Sequence, residues 1–427
     1  MGIKFRLVLM NFLQYAIWGA YLTSMGTYLS GAGLSAHIGI FYAMQGIVSL
    51  FMPAVIGIIA DRWVPAQRLL GICHLLAALF MGAAGYYAAT ASGPGVQFAP
   101  LFALYSLSVA FYMPTIALSN SVAYSVLESK GLDTVKDFPP IRVWGTVGFI
   151  CSMLVCDFTG FQTTYMQFVQ CAALGLVLGL YAFSLPECPV SRGGEKKSLV
   201  EALGLRAFAL FKQRKMALFF IFSMLLGVSL QITNGFANPF LTLFREIPEY
   251  ASSFGANHAN ALISLSQVSE TLCILLIPFC LKRFGIKNVM LMAMFAWVLR
   301  FGLFGLGNPG RGLWMFILSM IVYGVAFDFF NISGSLFVNN ETDASIRSSA
   351  QGLFMIMTNG IGATIGTLGA QAVVDRFVFS HESAVAQMEG WSTSWLIFAG
   401  YALCVAVVFA LVFKYRHDPA AVAEAKH

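Results

Sequence analysis

Charge is the scarcest commodity in this chain. Asp, Glu, Lys and Arg make up only 10% of its 427 residues, against roughly 25% in soluble domains. With 58% hydrophobic residues and a mean hydropathy of +0.77, the chain could not cover a soluble globule, and its class is polytopic membrane protein. Metal chemistry is as thinly provided. The eight cysteines form no CxxC pair and read as small core residues. The six histidines show no HxxxH or His–carboxylate spacing, and His74, the one well inside an apolar stretch, reads as structural. No nucleophile–base set and no metal-ligand set sits in the apolar stretches, which argues against an integral membrane enzyme. No metal and no cofactor is expected. No polar stretch is long enough to fold as an output domain, which argues against a receptor. The first apolar run, from Phe5, is too long for a cleaved leader and is expected to be a first transmembrane helix.

What the chain has instead is long apolar runs. A helix crossing the bilayer needs about 20 mainly apolar residues. Twelve such stretches are predicted, near 5–29, 37–60, 69–90, 98–124, 141–160, 164–185, 216–243, 257–280, 288–306, 312–336, 348–374 and 391–413. Turn signals such as Ala91-Ser92-Gly93-Pro94-Gly95 and Gly307-Asn308-Pro309-Gly310 separate them. With the N-terminus cytoplasmic, twenty Lys and Arg fall in cytoplasmic loops and tails, and only Arg245, Arg311 and Arg376 on the other side. That bias predicts both termini inside. It also accounts for the net charge of +6 without nucleic acid.

The longest polar stretch, 186–215, is basic and divides six spans from six. The expected organisation is all-α: an N-terminal six-helix bundle (1–185), a cytoplasmic linker (186–215), a C-terminal six-helix bundle (216–414) and a cytoplasmic tail (415–427). Two pseudo-symmetric six-helix halves joined this way are the layout of a major facilitator transporter. Between spans 2 and 3 the chain reads Gly57-Ile58-Ile59-Ala60-Asp61-Arg62, followed by a second basic residue at Arg68. This resembles that superfamily's loop signature, which implies a gating charge network at Asp61 and Arg62. The corresponding second-half loop, Leu281-Lys282-Arg283-Phe284-Gly285-Ile286-Lys287, repeats the basic–aromatic–small–basic order without the Asp.

Four charged residues lie inside spans: Arg142, Glu270, Arg300 and Asp328. Such residues are functional-site hypotheses by default. Arg142, Thr146 and Phe149 share a helix face, as do Gln231 with Asn234, Gln267 with Glu270, and Tyr323 with Phe327, beside Asp328. Taken singly each has a bland reading. An amide can tie helices together, an aromatic can simply pack, and Arg142 can snorkel. Arg300 has no polar company in its own stretch and reads as an anchor at the opposite interface. As a set, amides, aromatic faces and acids describe a neutral, planar, hydroxyl-rich ligand: rings stack on flat heterocycles, amides both donate and accept, and an acid accepts from a diol. A nucleoside fits; another neutral hydroxylated solute such as a sugar or drug is the alternative.

Several segments carry a closer resemblance. Phe12-Leu13-Gln14-Tyr15-Ala16-Ile17-Trp18-Gly19, the run Phe138 to Phe149, Leu230-Gln231-Ile232-Thr233-Asn234, Ser266-Gln267-Val268-Ser269-Glu270-Thr271, the run Tyr323 to Gly334, Ser349-Ala350-Gln351-Gly352 and Thr358-Asn359-Gly360 resemble the bacterial nucleoside–proton symporters of NupG type. The resemblance implies that Arg142, Thr146, Phe149, Gln231, Asn234, Gln267, Glu270, Tyr323 and Phe327 line a pocket for purine and pyrimidine nucleosides. It implies proton coupling at Asp328, with Glu270 the other candidate, and uptake across the inner membrane by alternating access. A monomer in the lipid bilayer is expected. Some members carry an acid two positions before the span 7 Gln, where this chain has Ser229, so no proton role of that acid carries over.

Overall fold

The computed structural model describes residues 2–91, 95–189, 205–343 and 346–415. Among them every element is a helix and no strand forms. That is the outcome lipid imposes, because a helix satisfies its backbone N–H and C=O groups within one segment. Eight segments among the described residues are long and apolar enough to cross a membrane: Ala66–Ala91, Phe98–Ser129, Lys136–Phe158, Arg214–Glu246, Ile277–Leu306, Leu313–Glu341, Ser349–Phe379 and Ala384–Val412. A bent pair, Ser35–Ser49 and Met52–Ala60, turns by 40° and makes a ninth. The other three predicted spans lie in shorter helices, Ile3–Gly19, Met166–Ala182 and Ala259–Ile274.

The differences from the sequence reading have local causes. Predicted span 8 runs unbroken over 257–280, but its helix stops at Ile274, and a new one starts at Ile277 with Pro278 in its first turn. The interruption falls between leucines, where hydropathy carries no signal. The next loop was expected to separate spans 8 and 9; instead the Ile277–Leu306 element runs through it and is broken at Gly285, whose φ of 77° and ψ of 165° are non-helical. Only glycine adopts that conformation cheaply. Predicted span 5 began after Pro139-Pro140, whereas the helix begins at Thr134 and takes both prolines into its opening turns.

The chain falls into two compact units, Met1–Leu203 and Gly204–His427. In the first, Ile3–Gly19 packs along Thr134–Phe158, and Ala66–Ala91 packs between Phe98–Ser129 and Met166–Ala182. Gly148 makes the first pairing possible: a Cβ there would collide with the carbonyl of Phe12. Small residues at such a crossing let backbones approach where no hydrophobic force drives helices together in lipid. In the second unit, Ile277–Leu306 packs on Leu313–Glu341 and Ala384–Val412, and Ala259–Ile274 packs on Leu313–Glu341. A cluster of Trp391, Trp395, Phe240, Phe304 and Phe316 fills part of that core, with Trp395 and Phe304 centroids 4.8 Å apart. The Ser349–Phe379 span contains a π-helical stretch, Ile356–Gly362, lying against Arg214–Leu230.

Candidate functional site

In the first unit the three predicted residues come from one helix, Thr134–Phe158. Arg142 is half-buried, with its guanidinium carbon 4.0 Å from the centre of the Tyr15 ring. This is a cation–π arrangement rather than an excursion to the interface. Gly145 leaves room for it, since a Cβ there would lie 2.6 Å from the Tyr15 ring and 2.9 Å from an Arg142 nitrogen. Phe149 is buried and meets the Trp18 ring edge-on, 6.3 Å between centroids and 89° between planes. The Trp18 indole N–H donates to Gln45 Oε1 (3.2 Å), and Gln45 Nε2 donates to the Tyr105 hydroxyl (3.0 Å). Behind them, Gln14 Nε2 donates to Thr115 (2.8 Å), His74 Nε2 lies 2.8 Å from Gln14 Oε1, and the Tyr112 hydroxyl donates to the Gln14 carbonyl (2.7 Å). These bonds link the Gln14, Gln45 and Trp18 side chains into a buried network, in which His74 Nδ1 is left without a partner. Neither the Tyr15 nor the Trp18 ring was singled out by spacing, although Gln14 and Trp18 stand four residues apart on one helix face.

In the second unit the span 7 amides sit at a break. Helix Arg214–Leu230 ends at Gln231, and Ile232–Leu243 begins after it. Both amides are half-buried, and Asn234 Nδ2 donates to Gln231 Oε1 at 2.6 Å. Gln267 and Glu270 are half-buried on Ala259–Ile274. On Leu313–Glu341, Tyr323 and Phe327 stack with planes 11° apart and centroids 5.7 Å apart. Tyr323 also meets Trp297 edge-on at 5.9 Å. Asp328, one residue on, is 6% exposed. Its Oδ2 is buried without a hydrogen-bond partner, a place where a proton or a ligand hydroxyl would complete the bonding. Asp328 and Glu270 lie close enough to interact electrostatically, and Tyr323 feels both together with Arg300.

Arg300 departs from its sequence reading. It is 2% exposed and reaches no interface. Its Nη1 donates to the Ser319 carbonyl (2.8 Å) and lies 3.3 Å from Ser266 Oγ, with the guanidinium carbon 4.5 Å from the Tyr323 ring centre. These partners stand on other helices, so no i, i+4 pattern around Arg300 could have disclosed them. At the loop motif between predicted spans 2 and 3, Asp61 and Arg62 end the Met52–Arg62 helix, but their side chains lie outside the described residues. Arg68 pairs with Glu187 at 3.5 Å, both well exposed, a contact worth little.

Comparison with known proteins places this arrangement in context. A family profile described as nucleoside H+ symporter matches residues 1–418. The chain is 48% identical to the xanthosine permease of Escherichia coli (strain K12), over 98% of both chains. It is 46% identical to the nucleoside permease NupG of the same organism, over 98% of this chain and 97% of that one. The crystal structure of a NupG mutant superposes with a TM-score of 0.90 at 45% identity, covering 97% of this chain and all of the other.

Proposed function

The chain belongs to the nucleoside H+ symporter family, and on that premise we propose that it takes up nucleosides with protons across the bacterial inner membrane by alternating access. It is a transporter, not an enzyme. The proposed architecture is the twelve-helix major facilitator fold: halves 1–185 and 216–414, a cytoplasmic linker 186–215, and a cytoplasmic tail 415–427. Both termini lie inside the cell and the working unit is a monomer. Asp61 and Arg62 belong to the proposed gating loop.

The observation that carries the reading is the Tyr323–Phe327 ring pair, flanked by two acids in a membrane-spanning unit. An aromatic surface suits a base, whichever base it is. Glu270, Gln267, Gln231 and Asn234 suit ribose hydroxyls and base edges. Arg142, Thr146 and Phe149, on Thr134–Phe158, are further proposed binding residues. Phe149 packs edge-on against Trp18 and Tyr323 is buried against Trp297 and Arg300, so half-buried Phe327 is the ring that receives the base. Asp328, with its unsatisfied oxygen, is the proton carrier, and Glu270 both binds and modulates it. A protonated, substrate-loaded carrier buries no net negative charge there and reorients readily; an empty ionised one resists. Purine nucleosides are among the proposed substrates, a reading that similarity to a xanthosine permease supports.

Reconstitution in proteoliposomes tests the reading. With an acid exterior, labelled uridine or xanthosine is expected to accumulate above equilibrium and to leak away on adding a protonophore. Unlabelled nucleosides compete; ribose and glucose do not. Competition by sugars but not nucleosides would replace the nucleoside reading with the sugar one.

A further inference from the structure

Arg300 is the most deeply buried cation described in the chain, and the symport mechanism above does not use it. Its burial needs a reason. A guanidinium taken out of water costs several kcal/mol even after relaxation, and an apolar residue would fill the same volume without that cost. No acid lies within 4.0 Å of it among the described residues. What holds it is local: the Ser319 carbonyl, the Ser266 hydroxyl, and two aromatic rings, Tyr323 at 4.5 Å and Phe304 at 5.3 Å. The bonding is reciprocal, since Ser319 Oγ donates back to the Arg300 carbonyl at 3.0 Å. Helix Ile277–Leu306 is thereby locked to helix Leu313–Glu341 one turn before Tyr323. The guanidinium lies on a ring that stacks with Phe327 and is met edge-on by Trp297. Arg presents a flat, charged plate to an aromatic face; Lys, a point charge on a flexible stem, cannot reproduce it.

We propose that Arg300 is a positioning residue for nucleoside binding: it fixes the Tyr323–Phe327 ring pair in the orientation that receives the base. It does not touch the nucleoside. The proposal rests on the reading that Tyr323 lines the pocket. It assigns a role in recognition to a helix, Ile277–Leu306, from which Trp297 also meets Tyr323 but no residue is proposed to touch the nucleoside.

The test is a double-mutant cycle on the purified full-length protein. The readout is the Kd of the folded fraction for the tightest binder among adenosine, uridine and xanthosine. Arg300→Lys keeps the charge and removes the plate. Loss of a desolvated cation–π contact predicts weakening of about fivefold or more. In a Tyr323→Ala background the same change is expected to alter Kd by less than about twofold, because the ring it positions is gone. A merely structural arginine would lower the yield of folded protein and leave the Kd of what folds unchanged, and that result overturns the proposal. So does an equal weakening in both backgrounds. If Tyr323→Ala leaves binding intact, the pocket reading itself fails and takes this inference with it; if Tyr323→Ala weakens binding but Arg300→Lys does not, only the inference fails. Should Arg300→Lys not fold, Ser266→Ala removes one of the guanidinium's anchors more gently. It is judged by the same cycle, with a Kd unchanged in both backgrounds counting against the proposal.

Discussion

At the scale of single residues, the second unit gathers its ionisable groups around one tyrosine. Asp328 and Glu270 come from different helices yet both reach Tyr323 electrostatically, as Arg300 does from a third. The two acids differ in setting. Asp328 is almost fully buried with one oxygen unsatisfied, while Glu270 is half-buried. That difference separates their expected roles. Asp328→Asn retains hydrogen bonding but cannot release a proton, so gradient-driven accumulation in proteoliposomes is expected to vanish. Exchange of nucleoside between two compartments without a gradient should continue, with Kd within about threefold of the parent, since a neutral amide leaves the stacking face untouched. Accumulation that survives Asp328→Asn would move the proton to Glu270. Much of this cluster is legible in the sequence, because a charged residue inside an apolar run announces itself. Its membership is not. Arg300 is as conspicuous in the sequence as Asp328, but only the crossing of its helix with Leu313–Glu341 shows that it faces Tyr323 rather than an interface.

At the scale of elements, hydropathy locates the apolar runs but not the points where helices start, break or touch. Pro139-Pro140 look like a boundary, yet the helix absorbs them; Leu275-Leu276 look like helix interior, yet the helix stops. The chain's breaks depend on tertiary packing, and the contacts between helices depend on which glycines face which backbone. Gly148 is such a contact, on the helix that carries Arg142, Thr146 and Phe149. Gly148→Ala forces a methyl against the Phe12 carbonyl and pushes the Ile3–Gly19 and Thr134–Phe158 helices apart. Overpacking of this kind costs about 1–3 kcal/mol, so a clear drop in the melting temperature of the detergent-solubilised protein is expected. Nucleoside binding should weaken too, as Tyr15 moves from under Arg142. Gly302→Ala is the control: nothing lies within 4 Å of the added Cβ, and a helical Gly→Ala change is neutral or stabilising by about 0.5–1 kcal/mol.

At the scale of the whole molecule, the number of crossings and the placement of the ends are linked by parity: an even count leaves both ends on one side, an odd count separates them. Counting by length and apolarity alone, the described residues give eight spans, or nine with the bent pair Ser35–Ser49 and Met52–Ala60. Nine crossings would put the two ends of the chain on opposite sides of the membrane. Twelve put them on the same side, and twelve are reached only if Ile3–Gly19, Met166–Ala182 and Ala259–Ile274 each belong to a crossing. Two of these have a neighbour that lengthens them: Met25–Gly31 follows the first, and Ile277 restarts the chain two residues after Leu275. At roughly 1.5 Å per residue, 17 residues cover about 25 Å, short of the ~30 Å hydrocarbon core, so the lengthening matters. Charge gives an independent answer, because the sorting of twenty Lys and Arg to one side and three to the other holds only if every one of the twelve stretches crosses. Reporter fusions decide between the counts. A green fluorescent protein, which matures in the cytoplasm, is expected to fluoresce at either terminus. Alkaline phosphatase, active only outside, is expected to be active when fused after His381 and inactive when fused after Ile286. Termini on opposite sides would remove an odd number of the short helices from the membrane. With them would go the even, two-half architecture on which rocking between outward and inward states depends.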